Sequence, residues 1–255
     1  KYIARGGERL GIYFLEHGAS QRPSKVVYDR AYSSISQIKS GEFNWDEILA
    51  GAEWFHFTGI TPALGQGPTQ VVLEALKVAK ANNVTVSVDL NYRKKLWTPA
   101  EANQVMSELM EYVDVVIANE EDAEKVFGIR AAESNVTSGH LNEEGYREVA
   151  RQLVDRFGFS KVAITLRESL SASDNNWSAL LFNSQEFYRS KIYPVHIVDR
   201  VGGGDSFGAG LIYSLLSGKS DQEALEFAVA ASCLKHTIFG DYNLVSVDEV
   251  EQLAK

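Results

Sequence analysis

The stretch HIVDRVGGGDSFGAGLIYSLLSG, residues 196–218, places three consecutive glycines directly before Asp205. An apolar run with helical periodicity follows at once and ends at Gly218, a residue typical of a helix C-terminus. Glycines permit tight turns and close backbone approach. Free N–H groups at a helix start, together with the helix dipole, attract anions. The stretch therefore predicts an anion-binding turn with a carboxylate at the start of a helix.

Two roles for Asp205 fit this position. Its carboxylate could cap the helix by accepting a backbone N–H. It could also act as a general base that takes the proton from a hydroxyl as that hydroxyl attacks phosphorus. An ordinary cap does not require three preceding glycines, so the sequence favours the catalytic role.

Two familiar glycine motifs for phosphate binding are excluded by their spacing. The dinucleotide fingerprint G-x-G-x-x-G fails because the sixth position counted from Gly202 is Phe207. The P-loop pattern needs a glycine five residues before Gly218, and Tyr213 stands there.

Apolar segments from about residue 52 onward alternate between strand-like and helix-like patterns. EWFHFTG, VTVSVDLN, VDVVIAN and KVAITLRE predict strands, and runs such as TQVVLEALKVAKANN predict helices between them. This alternation predicts an α/β fold with a doubly wound, mostly parallel sheet. Thr98, Pro99 and Glu101 have the spacing of a capped helix start.

Two regions depart from that alternation. LGIYFLEHG and KVVYDRAYS predict a two-stranded ribbon before the α/β body. NWSALLFNSQEFYRSKIYPV predicts an antiparallel pair of strands. Residues 130–140 are polar and without pattern, which predicts a surface loop.

Composition limits the function classes. The chain has 255 residues, of which 45% are hydrophobic, so it can form a substantial core. Its formal net charge of −9 disfavours nucleic acid and anionic membranes as partners. No apolar run reaches the roughly 18 residues of a membrane span. The single cysteine, Cys233, excludes an internal disulfide and predicts a cytoplasmic location.

The segment DRVGGGDSFGAGLIYSLL resembles the second signature of the ribokinase-like carbohydrate kinases, the PfkB family, usually D-T-x-G-A-G-D-x-F. This resemblance implies that Asp205 is the catalytic base and that the amides of Gly202, Gly203 and Gly204 form an anion hole. Arg200 occupies the position where the family usually has Thr, and Gly203 occupies the position where it usually has Ala. Neither substitution removes a backbone N–H donor.

Further segments resemble the same family in the expected order. VSVDLNYRKKLW is similar to its D-x-N-x-R…LW segment, and VIANEEDAEKVFG to its N-x-x-E segment. The second of these implies Asn119 and Glu121 as neighbours of Mg²⁺ through water, with Asp122 at the usual Glu position. The resemblance also implies ATP as a cofactor and allows for a monovalent cation.

VAITLRES lies where the family usually has T-L-G-x-x-G. The resemblance implies nucleotide contacts from Thr165, Arg167 and Ser169 together with Asn119, Gly202 and Gly204. Arg167 and Ser169 replace glycines, so we expect an altered contact with the nucleotide.

Within the family the chain resembles the 2-keto-3-deoxygluconate kinases, through VVYDRAYSS, LNYRKKLW and FGDYN. A sugar acid carries a carboxylate, which arginine binds bidentately, whereas a neutral sugar would not need two arginines. By matching motif, this resemblance implies Tyr28, Arg30, Arg93 and Asp241 as substrate-binding residues. We expect Tyr13, on the partner strand of the ribbon, and Asn91 and Asp205 to contact the substrate as well.

These observations predict an ATP-dependent kinase of the primary hydroxyl of 2-keto-3-deoxygluconate. We expect a β-ribbon lid at 10–32 and an α/β nucleotide- and substrate-binding domain at 33–255. The sequence starts near the lid, so we expect the family's first strand, Gly-Gly substrate loop and part of the lid to be absent, and homo-oligomerisation to cover exposed apolar surface. Two alternatives stay open: a kinase of a neutral sugar such as fructose or ribose, and a catalytically incomplete nucleotide-binding module.

Overall fold

The structure is a computed structural model that describes residues 2–119, 121–130 and 143–255. The chain divides into two compact units. The first is formed by the described residues within Lys1–Leu15, Val26–Arg130 and Gln152–Lys161, and the second by those within Glu16–Lys25, Ala131–Arg151 and Val162–Lys255. Of the loop predicted at 130–140, only Arg130 belongs to the described residues.

Strands β1 (Ile12–Glu16) and β2 (Lys25–Asp29) form a two-stranded sheet of their own, which confirms the predicted ribbon. In the first unit, β3 (Trp54–Thr58), β4 (Thr85–Asp89) and β5 (Val115–Ala118) are parallel, in that order. The division into a lid and a body at residue 33 stays a prediction.

The second unit contains β6 (Lys161–Ser169), β7 (Asp174–Phe182), β8 (Phe187–Arg189) and β9 (Tyr193–His196). Strand β7 pairs antiparallel with each of the other three. The antiparallel pairing is confirmed, but the predicted second strand is split between β8 and β9. The interruption lies at Ser190, whose Oγ accepts the N–H of Ala179 at 2.9 Å.

Several helices begin or end at residues with clear capping chemistry. Thr98 and Glu101 form the predicted capping box, with Pro99 as the first helical residue. Gly128 and Gly218 follow helices in the left-handed conformation, at φ +72° and +75°. The helices are α1 (Trp45–Ile48), α2 (Ile60–Ala63), α3 (Gln66–Ala81), α4 (Pro99–Leu109), α5 (Asp122–Phe127), α6 (Glu143–Phe157), α7 (Gly203–Leu216), α8 (Asp221–Lys235) and α9 (Val247–Ala254), and 3₁₀ turns lie at Ser34–Gln37 and Met110–Tyr112.

Each unit buries its own apolar residues. In the first, Val86 and Val88 of β4 and Leu76 of α3 are fully buried. In the second, α7 packs closely on α8, since a Cβ on Gly210 would lie 3.0 Å from Cα of Ala228. Together with these helices, the parallel β3–β5 strands confirm the predicted α/β class. No helix in the described ranges is long and apolar enough to cross a membrane.

Candidate active site

The glycine turn of the second unit leads into α7. Gly202 is the N-cap residue, in the left-handed conformation at φ +80°, and Asp205 is the third residue of the helix. The Asp205 carboxylate is exposed and makes no capping bond. The interpretation of Asp205 as a helix cap is therefore wrong, because the glycine conformation itself starts the helix.

The backbone donors of this turn differ in one respect from the predicted anion hole. The N–H of Gly203 donates to the carbonyl of Arg200 at 3.3 Å. Within the described residues, the N–H groups of Gly202, Gly204 and Asp205 donate to no acceptor. In this structure an anion would therefore meet the amides of those three residues, and Gly203 serves to close the turn.

Gly203 is a glycine for a reason that its own segment does not reveal. A Cβ there would lie 2.7 Å from Cε1 and 2.8 Å from Nε2 of His236, closer than real Cβ contacts. The imidazole of His236, at the end of α8, thus occupies the space that the usual alanine methyl of the signature would need. Gly203 and His236 form a matched pair.

Replacing Gly203 with alanine is expected to lower the free energy of unfolding by about 1–3 kcal/mol, the usual effect of overpacking. Urea unfolding checks this. Gly204→Ala is the matched control, since a Cβ there meets nothing within 4 Å, and we expect a change within about 0.5 kcal/mol. The double variant Gly203→Ala, His236→Ser should recover part of the loss. Equal effects of the two single variants would contradict the pairing.

His236 is buried with its ring in a fixed orientation. Its Nδ1 lies 2.6 Å from the carbonyl oxygen of Ser232, and its ring centroid lies 5.0 Å from that of Trp177. Burial lowers the pKa of His236 from 6.5 to about 4, with the positive charges of Arg200 and Lys235 contributing. The folded protein therefore holds this imidazole neutral at pH values where the unfolded chain binds a proton.

This difference predicts how stability depends on pH. The stability that goes with a neutral imidazole is fully present above pH 6.5, the pKa of the unfolded chain. It is lost as pH falls from 6.5 toward about 4, because the unfolded chain then binds a proton that the folded protein does not. The loss approaches about 1.4 kcal/mol per pH unit in that window. Urea unfolding of the wild type and of His236→Gln between pH 7.5 and about 4.5 tests it, because the variant lacks this titration. Parallel pH curves for the two proteins would contradict the prediction.

Two carboxylates of the second unit lie at the glycine turn. Asp199 is buried, and its oxygens accept the N–H groups of Val201 and Gly240, each at 3.0 Å. Asp241 is exposed, and its Oδ1 would lie 3.2 Å from a Cβ on Gly202. Asp199 therefore ties two loops together, whereas Asp241, predicted as a substrate residue, stays accessible beside the turn.

Three of the residues predicted to contact the nucleotide, Thr165, Arg167 and Ser169, lie on β6. Thr165 is buried, and Arg167 and Ser169 are exposed at the end of the strand. The positive charge of Arg167 contributes to lowering the pKa of both Arg200 and His236. Arg167 and Arg200 thus bring positive charge to the side of the second unit that holds the glycine turn, where it suits a polyphosphate.

In the first unit, predicted site residues follow the carboxyl ends of the parallel strands. Asn91 and Arg93 come after β4, and Asn119 and Glu121 come after β5. Asn91 has the left-handed φ of +41°, and its Nδ2 donates to Oγ1 of Thr58 at 3.2 Å. Ligands of α/β sheets bind at this edge.

A cleft of about 910 Å³ opens in the first unit. Tyr28, Arg30, Arg93 and Glu121 all line it, so the fold brings these predicted residues together. The guanidinium carbon of Arg30 lies 4.2 Å from the ring centroid of Tyr28. Tyr13 contacts Tyr28 from the other strand of the ribbon, with 6.3 Å between their rings.

The cleft is more basic than the motifs indicated. Lys94, Lys95 and Lys125 line it as well, against the single carboxylate of Glu121. The two adjacent lysines in LNYRKKLW were the signal that motif matching passed over. The Nε of Arg93 is buried and has no hydrogen-bond partner in the described residues. The excess of positive side chains along the cleft suits an anionic ligand.

The segment after β5 is built around Asp122. Its buried carboxylate accepts the N–H groups of Tyr92 and Asn119, and burial raises its pKa. Asn119 Oδ1 accepts the N–H groups of Glu121 and Asp122. Asp122 therefore joins the loop that carries Arg93 to the end of β5, which explains an Asp at the usual Glu position.

The residues available for a metal ion are few. Among the described residues, no group of three His, Cys, Asp or Glu side chains is arranged to hold one. Asn119 Oδ1 already accepts two backbone bonds, whereas the Glu121 carboxylate is exposed at the cleft. The exposed carboxylate of Glu121 therefore fits a Mg²⁺ that is contacted through water.

Comparison with known proteins decides the family. The model of the pfkB family carbohydrate kinases matches residues 1–246. The chain belongs to this family. Because the match extends over both units, the glycine turn and the basic cleft are both parts of a pfkB carbohydrate kinase.

Particular relatives of this pfkB kinase are similar along nearly its full length. A solved structure of 2-dehydro-3-deoxygluconokinase from Thermotoga maritima is 56% identical, with a TM-score of 0.94, and the match covers 99% of this chain and 75% of that one. The 2-dehydro-3-deoxygalactonokinase of Haloferax volcanii is 31% identical, over 97% of this chain and 71% of the relative. The 2-dehydro-3-deoxygluconokinase of Thermoproteus tenax is 28% identical, over 98% and 69%.

Proposed function

We propose that this chain phosphorylates 2-keto-3-deoxygluconate, also called 2-dehydro-3-deoxygluconate, on its terminal primary hydroxyl at the expense of ATP. The observation that carries the proposal is the basic cleft that Arg30 and Arg93 line together. A substrate carboxylate would pair with the two guanidinium groups, whereas a neutral sugar brings no negative charge to them. The names of the relatives from Thermotoga maritima and Thermoproteus tenax support the same substrate.

Each unit contributes its own part of the chemistry. In the first, Arg30 and Arg93 bind the carboxylate, while Asn91, Tyr28 and Tyr13 orient the carbon chain. In the second, Asp205 takes the proton of the attacking hydroxyl and Asp241 binds the substrate. The open amides of the turn stabilise negative charge that develops on the transferred group.

The cofactor is proposed to be ATP with Mg²⁺. When bound, ATP supplies the phosphoryl group and Mg²⁺ neutralises part of the phosphate charge. The residues that contact the nucleotide are Thr165, Arg167 and Ser169, together with Gly202, Gly204 and Asn119. Glu121 and Asn119 hold the water shell of the metal ion.

A coupled assay of ADP release with a panel of acceptors tests the substrate. The panel contains 2-keto-3-deoxygluconate, its galactonate epimer, 5-dehydro-2-deoxygluconate, gluconate, ribose and fructose. We expect turnover with the keto sugar acids and none with ribose or fructose. Turnover with a neutral sugar alone would contradict the proposal, and ATP binding without turnover of any acceptor would favour a catalytically incomplete module.

Two further expectations belong to this proposal. Ile12 and Phe14 of the ribbon are 50% and 61% exposed, which supports a homo-oligomer that covers this apolar strand. The single thiol, Cys233, is buried and free, and burial raises its pKa to about 12. An unreactive free thiol is compatible with the reducing cytoplasm, which we propose as the location.

A further inference from the structure

Lys235, the last residue of α8, is fully buried. A buried ammonium is costly unless oxygen atoms surround it. Its Nζ donates to the carbonyl of Ile238 at 3.1 Å. Burial lowers the pKa of Lys235, while the carboxylates of Asp199 and Asp241 act in the opposite direction. The ammonium therefore has one carbonyl oxygen as a hydrogen-bond acceptor and two carboxylates whose negative charge acts on it.

This group lies directly at the glycine turn. A Cβ on Gly202 would come 3.2 Å from Cε of Lys235 and 2.5 Å from the carbonyl oxygen of Asp241. Asp199 accepts N–H groups from both loops that flank the lysine, at Val201 and Gly240. Lys235 thus connects the end of α8 with the start of α7, next to the amides that face an anion.

We propose that Lys235 is a positioning residue whose ammonium serves as a built-in cation behind the anion-binding turn, so that this kinase needs no monovalent cation. The inference rests on the proposed function, since it concerns the turn that stabilises the transferred group.

The ligand chemistry supports this assignment. A monovalent cation in a protein is held by backbone carbonyls and carboxylates. Here the carbonyl of Ile238 accepts from the ammonium, and the carboxylates of Asp199 and Asp241 supply negative charge near it. An ammonium carries the same single charge and donates up to three hydrogen bonds to such oxygens. With Lys235 in place, the space for a separate ion is filled. The monovalent cation that the family resemblance allowed for therefore does not fit this position.

A purely structural role for Lys235 makes a different prediction. Replacing a buried charge with an apolar side chain of similar volume is often neutral or stabilising for folding. Lys235→Met would then keep both stability and turnover. A built-in cation predicts instead that Lys235→Met folds but turns over slowly, because the turn has lost its positive charge.

The test compares cations. Turnover of the sugar acid and the affinity for a non-hydrolysable ATP analogue are measured with tetramethylammonium as the only monovalent cation, and then with added potassium or ammonium. We expect less than about a twofold change for the wild type. In tetramethylammonium, Lys235→Ala should lose at least about tenfold in kcat, equivalent to about 1.4 kcal/mol of transition-state stabilisation, and several-fold in analogue affinity. Potassium or ammonium should restore both, because alanine vacates an oxygen-lined space.

Two variants serve as controls. Lys235→Met fills that space with an apolar side chain, so its losses should not be restored. Lys219→Ala removes a lysine that pairs with Glu251 at 2.9 Å, and it should respond to cations as the wild type does. Thermal unfolding verifies that each variant is folded. If Lys235→Ala does not fold, Lys235→Met carries the test through its loss of kcat at retained stability.

Several results would overturn the inference: a wild type activated several-fold by potassium, a Lys235→Ala protein with wild-type turnover in tetramethylammonium, or a loss in that variant that no cation restores. Failure of the proposed function has a separate signature. In that case the wild type turns over no sugar acid in any buffer, and the analogue affinities still report whether Lys235 replaces a cation.

Discussion

Asp205→Asn is expected to lower kcat by about 10²- to 10⁴-fold, the usual effect of losing a general base. The amide keeps the shape of the side chain but cannot accept the proton of the attacking hydroxyl. Asp205 is exposed and is not the helix cap, so the substitution breaks no bond that holds the turn. Calorimetric titration should therefore show ATP bound with nearly wild-type affinity.

The matched control for this variant is Asp248→Asn. Asp248 lies in the first turn of α9 and is also exposed. A carboxylate in the first turn stabilises its helix by about 0.3–1 kcal/mol through the helix dipole. Both variants should therefore lose a similar small amount of stability. Only Asp205→Asn should lose turnover. Wild-type turnover of that variant would mean that Asp205 stabilises its helix and is not a base.

The double variant Arg30→Ala, Arg93→Ala is expected to lose at least about 10²-fold in affinity for the sugar acid. A charge-assisted hydrogen bond contributes about 1.5–3 kcal/mol, so each arginine accounts for about ten- to a hundredfold. Both line the same cleft of the first unit. The effects need not add fully, because the two side chains share one ligand.

Calorimetric titration of the sugar acid and of ATP measures the effect on each ligand separately. ATP should bind the double variant nearly as it binds the wild type. Arg22→Ala is the matched control: Arg22 is an exposed arginine near the ribbon, paired with Glu16, that does not line the cleft. Unchanged affinity of the double variant for the acid would show that Arg30 and Arg93 are surface charges, and it would contradict the substrate class.

Much of the fold could be predicted because its signals are local. Thr98, Pro99 and Glu101 specify a helix start through bonds within four residues, and the structure confirms them. Alternating apolar runs predicted the strands for the same reason. The candidate residues Tyr28, Arg30, Arg93 and Glu121 could be found from motifs, and the fold brings all four to one cleft.

Predictions failed or were missing where a residue depends on a partner far along the chain. Gly203 gave no sign that its Cβ position is taken by His236. Nothing in the sequence revealed that the buried side chain of Lys235 lies beside Gly202. Asp122 was noted only as standing where the family usually has Glu, and the structure shows that its buried carboxylate joins Tyr92 to Asn119.

By itself the sequence determined the family, the α/β class and the position of a carboxylate after a glycine turn. Helix caps, turn glycines and apolar periodicity act over a few residues, so they can be recognised without a partner. Only the tertiary structure decided that Gly202, not Asp205, starts α7, which amides stay open to an anion, and why position 203 excludes a methyl group. The first two properties depend on backbone angles that the residue types alone do not specify. The third depends on the packing of His236, at the end of α8, against the turn, and packing joins residues whose separation along the chain carries no local signal.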